Sequence, residues 1–181
     1  MPLTTTHALV PFAGAIAFAH RPVPWRLIIV ASIVSAAPDL DAGFHHFLGV
    51  PETSILSHRG ATHSLFVALC FGAFAAICHR LLEVRRLTAA VVIASAMASH
   101  GLLDMMSDGG RGVAYLWPIS SNRFFAEWRP LHTMPISLRH IFEQSLARLV
   151  SDAWLIIVPL FAASLVFRGL RQKYGDGRML P

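Results

Sequence analysis

The chain has 181 residues, enough for one domain, and we treat residues 1–181 as a single unit. Hydrophobic residues make up 55% of it, charged residues make up 14%, and the mean hydropathy is +0.56. These values lie far from those of a typical soluble domain and favour a membrane protein or an unusually apolar helical bundle. The formal net charge is +5, but the basic residues are scattered at the ends of apolar segments, which argues against a nucleic-acid partner.

Five apolar runs follow one another along the chain, and strand-like alternating segments flanked by turns are absent. The runs cover residues 7–19, 25–37, 64–78, 87–103 and 153–167. Pro38 is expected to stop the second helix, and Ser64 and Ser151 are expected to cap the third and the fifth. The pattern therefore predicts an all-α bundle of about five helices.

The connection 104–152 is the only long one in the chain. Its aromatic residues, Trp117 and Trp128 among them, suit a membrane interface. Its last part, 136–150, alternates apolar and charged residues with the period of an amphipathic helix. We therefore expect a helical loop region that lies on the bilayer surface, covers the site or packs on the bundle.

Charge is distributed unequally between the two sides that five spanning runs would define. One side carries nine of the 15 basic residues and two of the 10 acidic residues, and the other carries six and eight. This asymmetry places the basic side in the cytoplasm and predicts a multi-pass protein with the lipid bilayer as its partner. A spanning helix needs about 20 apolar residues, which these runs do not reach, so a soluble or partly inserted bundle is the alternative.

The densest group of reactive side chains is the heptapeptide His58-Arg59-Gly60-Ala61-Thr62-His63-Ser64, directly ahead of the third run. A tight turn at Gly60 would bring His58 and His63 together, which a helix would not do. Arg59 and the first amides of the following helix would then face a negative oxygen, such as that of a phosphate. We assign Arg59 the catalytic role of stabilising negative charge.

Three further polar sites also lie at or near the ends of apolar runs, on the predicted non-cytoplasmic side. The first is His7. The second is the tetrapeptide Pro38-Asp39-Leu40-Asp41, whose two carboxylates repel each other unless a cation lies between them. The third is the pair His100 and Asp104, which a helix places on one face about one turn apart.

Imidazoles and carboxylates without useful thiolates favour a transition-metal site. Zinc is the first candidate, since it lowers the pKa of a bound water to about 7, and manganese is the second. Seven ligands exceed the needs of one tetrahedral ion, so either two ions bind or some residues support the ligands from behind. The predicted ligands are His7, Asp39, Asp41, His58, His63, His100 and Asp104.

At these residues the chain resembles the YdjM-type family of bacterial inner-membrane proteins, described as metal-dependent hydrolases. The resemblance rests on His7, Pro38-Asp39-Leu40-Asp41, the heptapeptide, Ser99-His100 with Asp104, and Leu116-Trp117-Pro118. It implies a multi-pass inner-membrane protein with a metal-dependent hydrolase activity. More distantly, the family is similar to the helical zinc phospholipase C and nuclease group. The chain departs from the family in a longer segment at 107–112 and in Ala42, where a further histidine is frequent.

We therefore predict a membrane-bound hydrolase of the bacterial inner membrane whose site faces the periplasm. Its substrate is expected to be a phosphoester of a lipid or of a headgroup. The alternatives are a non-enzymatic membrane protein with a structural or regulatory metal site and an ion or proton carrier. The carrier is disfavoured because the middles of four of the five runs hold no charge. The motifs of serine hydrolases, P-loop NTPases and thiol oxidoreductases are absent from the sequence.

Overall fold

The structure, a computed structural model, describes residues 4–19, 22–131 and 157–175. Within these ranges the chain is helical, with two isolated β-bridges and no strand, as the apolar runs predict. Two short 3-10 helices, Ala37–Asp41 and Ala61–His63, accompany the α-helices. The α-helices are α1 (Thr4–Phe18), α2 (Trp25–Ala36), α3 (Ala42–Leu48), α4 (Leu65–Ile77), α5 (Arg86–Met105) and α6 (Val158–Gly175).

Five of these helices correspond to the five predicted runs, and α3 is a short addition. The Ser64 hydroxyl accepts a hydrogen bond from the Val67 amide at 3.2 Å, which confirms the predicted cap of α4. Helix α6 continues to Gly175, beyond the predicted end of the fifth run. The Ser151 cap, the start of that run and the amphipathic segment 136–150 lie outside the described residues, so they stay predictions.

Small residues allow α4 and α5 to pack closely. A Cβ added at Gly72 would lie 2.7 Å from the Ala90 carbonyl oxygen and 2.8 Å from the Ala94 Cβ. A larger residue at this position would push the two helices apart. The buried core continues from α5 to α2 through Ile93 and Leu27, so these three helices form the frame that positions the polar residues.

The predicted metal ligands and the ion pair of Arg26 with Glu83 lie at opposite ends of this frame. The start of α1 and the ends of α2 and α5 meet at one end, where His7, Ser35 and His100 are in contact. At the other end, Arg26 at the start of α2 forms a 3.0 Å ion pair with Glu83, just before α5 begins. The predicted site residues therefore share one end of the bundle, and the described arginines at the start of α2 and at the turn between α4 and α5 lie at the other.

One described helix, α5, is long and apolar enough to cross a membrane by length and composition. The apolar segments Thr6–Phe18 in α1 and Leu65–Ile77 in α4 are shorter. A span needs about 20 apolar residues, so α5 alone meets the requirement without flanking residues among the segments described. A multi-pass topology is therefore a proposal.

Candidate metal centre

Helix α5 brings His100 and Asp104 to the centre of the polar cluster. The two residues are one turn apart on the buried face, and both are 0% exposed. The His100 Nδ1 lies 2.7 Å from the Ser35 carbonyl oxygen at the end of α2, which accepts its proton. A protonated Nδ1 leaves the lone pair of the neutral ring on Nε2, directed into the cluster.

The 3-10 helix after α2 supplies two carboxylates. Pro38 lies in its first turn, where a residue without an N–H is tolerated, and the tight winding buries Asp39 and Asp41 on either side of the chain. Between them Leu40 points outward and is 76% exposed. The two carboxylates thus enter the cluster at different points rather than sharing one position.

The heptapeptide forms the tight turn that Gly60 predicts. The Gly60 amide donates to the Ser57 carbonyl at 2.9 Å, and the Ala61 amide donates to the Ile55 carbonyl at 2.8 Å. The turn is closed so tightly that a Cβ on Gly60 would lie 1.9 Å from the Ile55 oxygen. It brings the rings of His58 and His63 to a centroid distance of 5.2 Å, as expected from the sequence.

Four side chains converge on one point. The Nε2 atoms of His63 and His100 are 3.1 Å apart. An Asp39 oxygen lies 3.4 Å from the His100 Nε2, and an Asp104 oxygen lies 3.4 Å from the His63 Nε2 and 3.9 Å from the His100 Nε2. Ligands of a tetrahedral zinc ion at 2.0–2.1 Å are about 3.3 Å from one another. These four buried residues therefore have the spacing needed to hold a metal ion.

Asp41 contacts the Nδ1 of His63, the ring nitrogen that does not face the metal centre. One Asp41 oxygen lies 3.2 Å from the His63 Nδ1 and also accepts a hydrogen bond from the Thr62 hydroxyl. The other oxygen lies 2.7 Å from the His58 Nδ1. That distance is typical of a hydrogen bond and shorter than the spacing of two ligands on one ion. Asp41, His58 and His63 also form a group able to hold a metal, but the contacts favour Asp41 as the carboxylate that orients His63.

His7 lies at the edge of this centre. Its ring stacks on that of His100 at 3.8 Å, and its Nε2 is 3.7 Å from the second oxygen of Asp104. The ring is fully buried, and neither of its nitrogens has a hydrogen-bond partner within the described part of the chain. Buried polar atoms rarely lack a partner, so the ring nitrogens of His7 are candidates for binding a cation.

The Arg59 guanidinium is 2% exposed and faces Asp104, with its Nε 3.1 Å from a carboxylate oxygen. It donates to the Ser107 hydroxyl at 2.7 Å and to the Gly109 carbonyl at 2.5 Å. A Cβ on Gly110 would lie 2.6 Å from this guanidinium. The unusual 107–112 segment therefore surrounds Arg59, which in this conformation balances the charge of Asp104. Its action on a substrate stays a prediction.

Sequence reasoning missed three polar residues that hold the centre in place. Ser35 donates to the His7 carbonyl at 2.9 Å and accepts from His100. Thr62 contacts Asp41, and Ser107 links Arg59 to the Asp104 carbonyl. The available signal for Ser35 was a serine in the last turn of an apolar run, because a hydroxyl that becomes buried there must find a partner.

Asp41 in the first 3-10 helix and His63 in the second have pKa values that are shifted in opposite directions. Burial opposes the ionisation of Asp41, but its hydrogen bonds with His58 and His63 outweigh burial and lower its pKa to about 2. Burial likewise opposes the protonation of His63, but Asp104 and Asp41 outweigh it and raise the pKa of His63 to about 9. Below that pH the metal-free protein holds a proton where a metal ion would bind.

The affinity for zinc is therefore expected to rise between pH 6 and pH 9, by up to about tenfold per unit, because each ion displaces the His63 proton. Above pH 9 the curve should level off, since His63 is then neutral. Asp41→Asn should move this plateau to lower pH by removing a carboxylate that stabilises the proton. Competition titrations with a chelator measure the curve, and an affinity independent of pH over this range would contradict the assignment.

Comparison with known proteins agrees with the resemblance found in the motifs. The chain matches the family described as YdjM inner membrane protein over residues 1–174. It is 34% identical over 139 residues to the Inner membrane protein YbcI of Escherichia coli (strain K12), covering 76% of this chain and 80% of that protein. No solved structure matches. The chain therefore belongs to the YdjM inner membrane protein family.

Proposed function

We propose that this inner-membrane protein is a metal-dependent hydrolase acting on a phosphoester of a lipid or of its headgroup. The observation that carries the proposal is the convergence of His63, His100, Asp39 and Asp104, whose ligand atoms all lie within 4.8 Å of one another. Two imidazoles and two carboxylates suit zinc first and manganese second. Such an ion, when bound, lowers the pKa of a coordinated water to about 7 and makes it a nucleophile.

The chain's own residues supply binding, orientation and proton transfer. Asp39 is the most exposed of the four converging side chains and so marks the side from which a substrate would approach. On the opposite side, Asp41 joins His63 to His58 through contacts of 3.2 and 2.7 Å. His58 is partly exposed, so this chain of side chains can exchange a proton between the centre and the surface.

An apolar rim beside the carboxylates supports a lipid substrate. Leu40 separates Asp39 from Asp41 and is largely exposed, and Phe47 and Leu48 at the end of α3 are also exposed. Large apolar side chains in this position would lie against acyl chains while the headgroup reaches Asp39. We infer that the site opens at a membrane surface, and the charge asymmetry of the loops supports the proposal that this surface is the periplasmic side of a multi-pass bundle.

A structural or regulatory metal site is the second candidate, and one observation favours it. The four converging residues are all buried and provide four ligands, as closed structural zinc sites do, whereas catalytic sites keep a position open. Asp39 decides between the two candidates. If its carboxylate moves aside for a substrate, the remaining three residues form a catalytic set of ligands.

Turnover tests the two candidates directly. Protein loaded with zinc or manganese is expected to hydrolyse phospholipids in mixed micelles faster than soluble phosphate esters, because the apolar rim favours an interfacial substrate. Asp104→Asn should abolish turnover, since it removes the carboxylate that lies near both imidazoles. Stoichiometric metal without turnover on any phosphoester of the panel would favour the structural site and contradict the hydrolase.

A further inference from the structure

A groove of about 460 Å³ lies on the outside of the bundle between α1, the start of α2 and α6. Among the residues that the structure describes, those that line the groove are apolar except Arg168 on α6. The groove extends from Leu9 in α1 to Ala19, the residue after the helix, which at 1.5 Å per residue is about 15 Å. It is separate from the metal centre, and nothing in the proposed hydrolase uses it.

Arg168 is available to a ligand, unlike its neighbour. Arg171, one turn further along α6, donates to the carbonyls of Phe18 and Ala19 at 2.7 and 3.2 Å and so caps the end of α1. Within the described ranges, Arg168 has no hydrogen-bond or ion-pair partner. An exposed guanidinium at the rim of an apolar groove is suited to bind a phosphate while the groove holds an acyl chain.

The charge of this end of the bundle also favours an anionic ligand. Arg80, Arg85 and Arg86 lie there, at the turn between α4 and α5. Glu83 is the only acidic residue described at this end, and its carboxylate is paired with Arg26 at 3.0 Å. The local potential is therefore positive and attracts negatively charged headgroups over neutral ones.

We propose that this groove is a binding site for an anionic phospholipid, with one acyl chain against α1 and the phosphate on Arg168. Anionic phospholipids surround a protein of the inner membrane. The apolar lining favours a phospholipid over inorganic phosphate, because inorganic phosphate has no acyl chain to bury in the groove. The site would fasten α6 to α1 at the end of the bundle opposite the metal centre. It does not depend on the hydrolase activity.

Native mass spectrometry of the detergent-purified chain tests the proposal with an equimolar mixture of phosphatidylglycerol and phosphatidylcholine. The wild type is expected to retain phosphatidylglycerol about fivefold over phosphatidylcholine, the selectivity that one arginine supplies toward an anionic headgroup. Arg168→Gln should remove this preference. Arg80→Gln is the matched control, because it removes the same charge from the same end but outside the groove.

A second variant tests the acyl chain. Ala15→Phe fills the middle of the groove and should reduce the retention of both lipids, while Arg168→Gln reduces only the selectivity. Equal selectivity in the wild type and in Arg168→Gln would overturn the proposal. So would an equal loss in Arg80→Gln, which would reveal a diffuse electrostatic effect, and so would wild-type lipid retention by Ala15→Phe in protein with an unchanged melting temperature.

Discussion

Replacing His63 by alanine is expected to lower the affinity for zinc by at least about a hundredfold, because the loss of a ligand exceeds the tenfold to hundredfold effect of a supporting residue. The His63 Nε2 is 3.1 Å from the His100 Nε2 and 3.4 Å from an Asp104 oxygen. Competition with a chromophoric chelator at fixed pH measures the change.

His79→Ala is the matched control for this variant. It removes the same side chain from the opposite end of the bundle, where the His79 Nδ1 is 2.9 Å from the Val84 carbonyl oxygen. Its affinity for zinc should equal that of the wild type. If His63→Ala and His79→Ala bind zinc equally well, and both retain a cooperative thermal transition, the assignment of His63 is wrong.

Gly60→Ala is expected to destabilise the fold by about 3 kcal/mol and to abolish metal retention. The added Cβ would lie 1.9 Å from the Ile55 carbonyl oxygen and 2.7 Å from that of Ser57, and both are backbone atoms that cannot rotate away. The turn must therefore open. Because the turn positions Arg59 and His63, both would leave the neighbourhood of Asp104. Thermal melts in detergent and metal analysis measure the two effects.

Gly14→Ala provides the comparison for this substitution. Gly14 lies inside α1, where a Cβ meets nothing within 4 Å. Alanine there should be neutral or stabilise the protein by up to about 1 kcal/mol, the gain in helix propensity. Wild-type melting and wild-type metal content in Gly60→Ala would show that the turn does not hold the site.

The helices could be predicted from the sequence because their signals are local. Apolar runs give the positions of α1, α2, α4 and α5, and Ser64 gives the start of α4 through a contact only three residues away. The common end of the polar residues follows from the same runs, because consecutive helices alternate in direction. Family membership was also predictable, since the heptapeptide and the Pro38-Asp39-Leu40-Asp41 tetrapeptide are contiguous motifs.

Which residue of the cluster contacts which could not be predicted from the sequence. Asp39 and Asp41 belong to one tetrapeptide, yet Asp39 faces His100 and Asp41 faces His58 and His63. This difference depends on the winding of a single 3-10 turn against residues up to 61 positions away. The contact of His100 with Ser35 spans 65 residues, and no local pattern encodes it.

The partner of Arg59 also could not be predicted from the sequence. Its motif indicates a group that faces a negative charge, and the structure places that charge on Asp104 of the same chain. Whether an arginine meets a substrate or a carboxylate depends on the path of a distant loop, here the segment that contains Ser107 and Gly109. Local sequence indicates the chemistry of a side chain, and tertiary packing chooses its partner.

Elemental analysis of the detergent-purified chain, prepared without chelators, tests the central claim most directly. The convergence of His63, His100, Asp39 and Asp104 predicts about one tightly held zinc or manganese ion per chain. His63→Ala should contain little or none. A wild-type protein that carries no transition metal, and takes up none when zinc is added, would contradict the account.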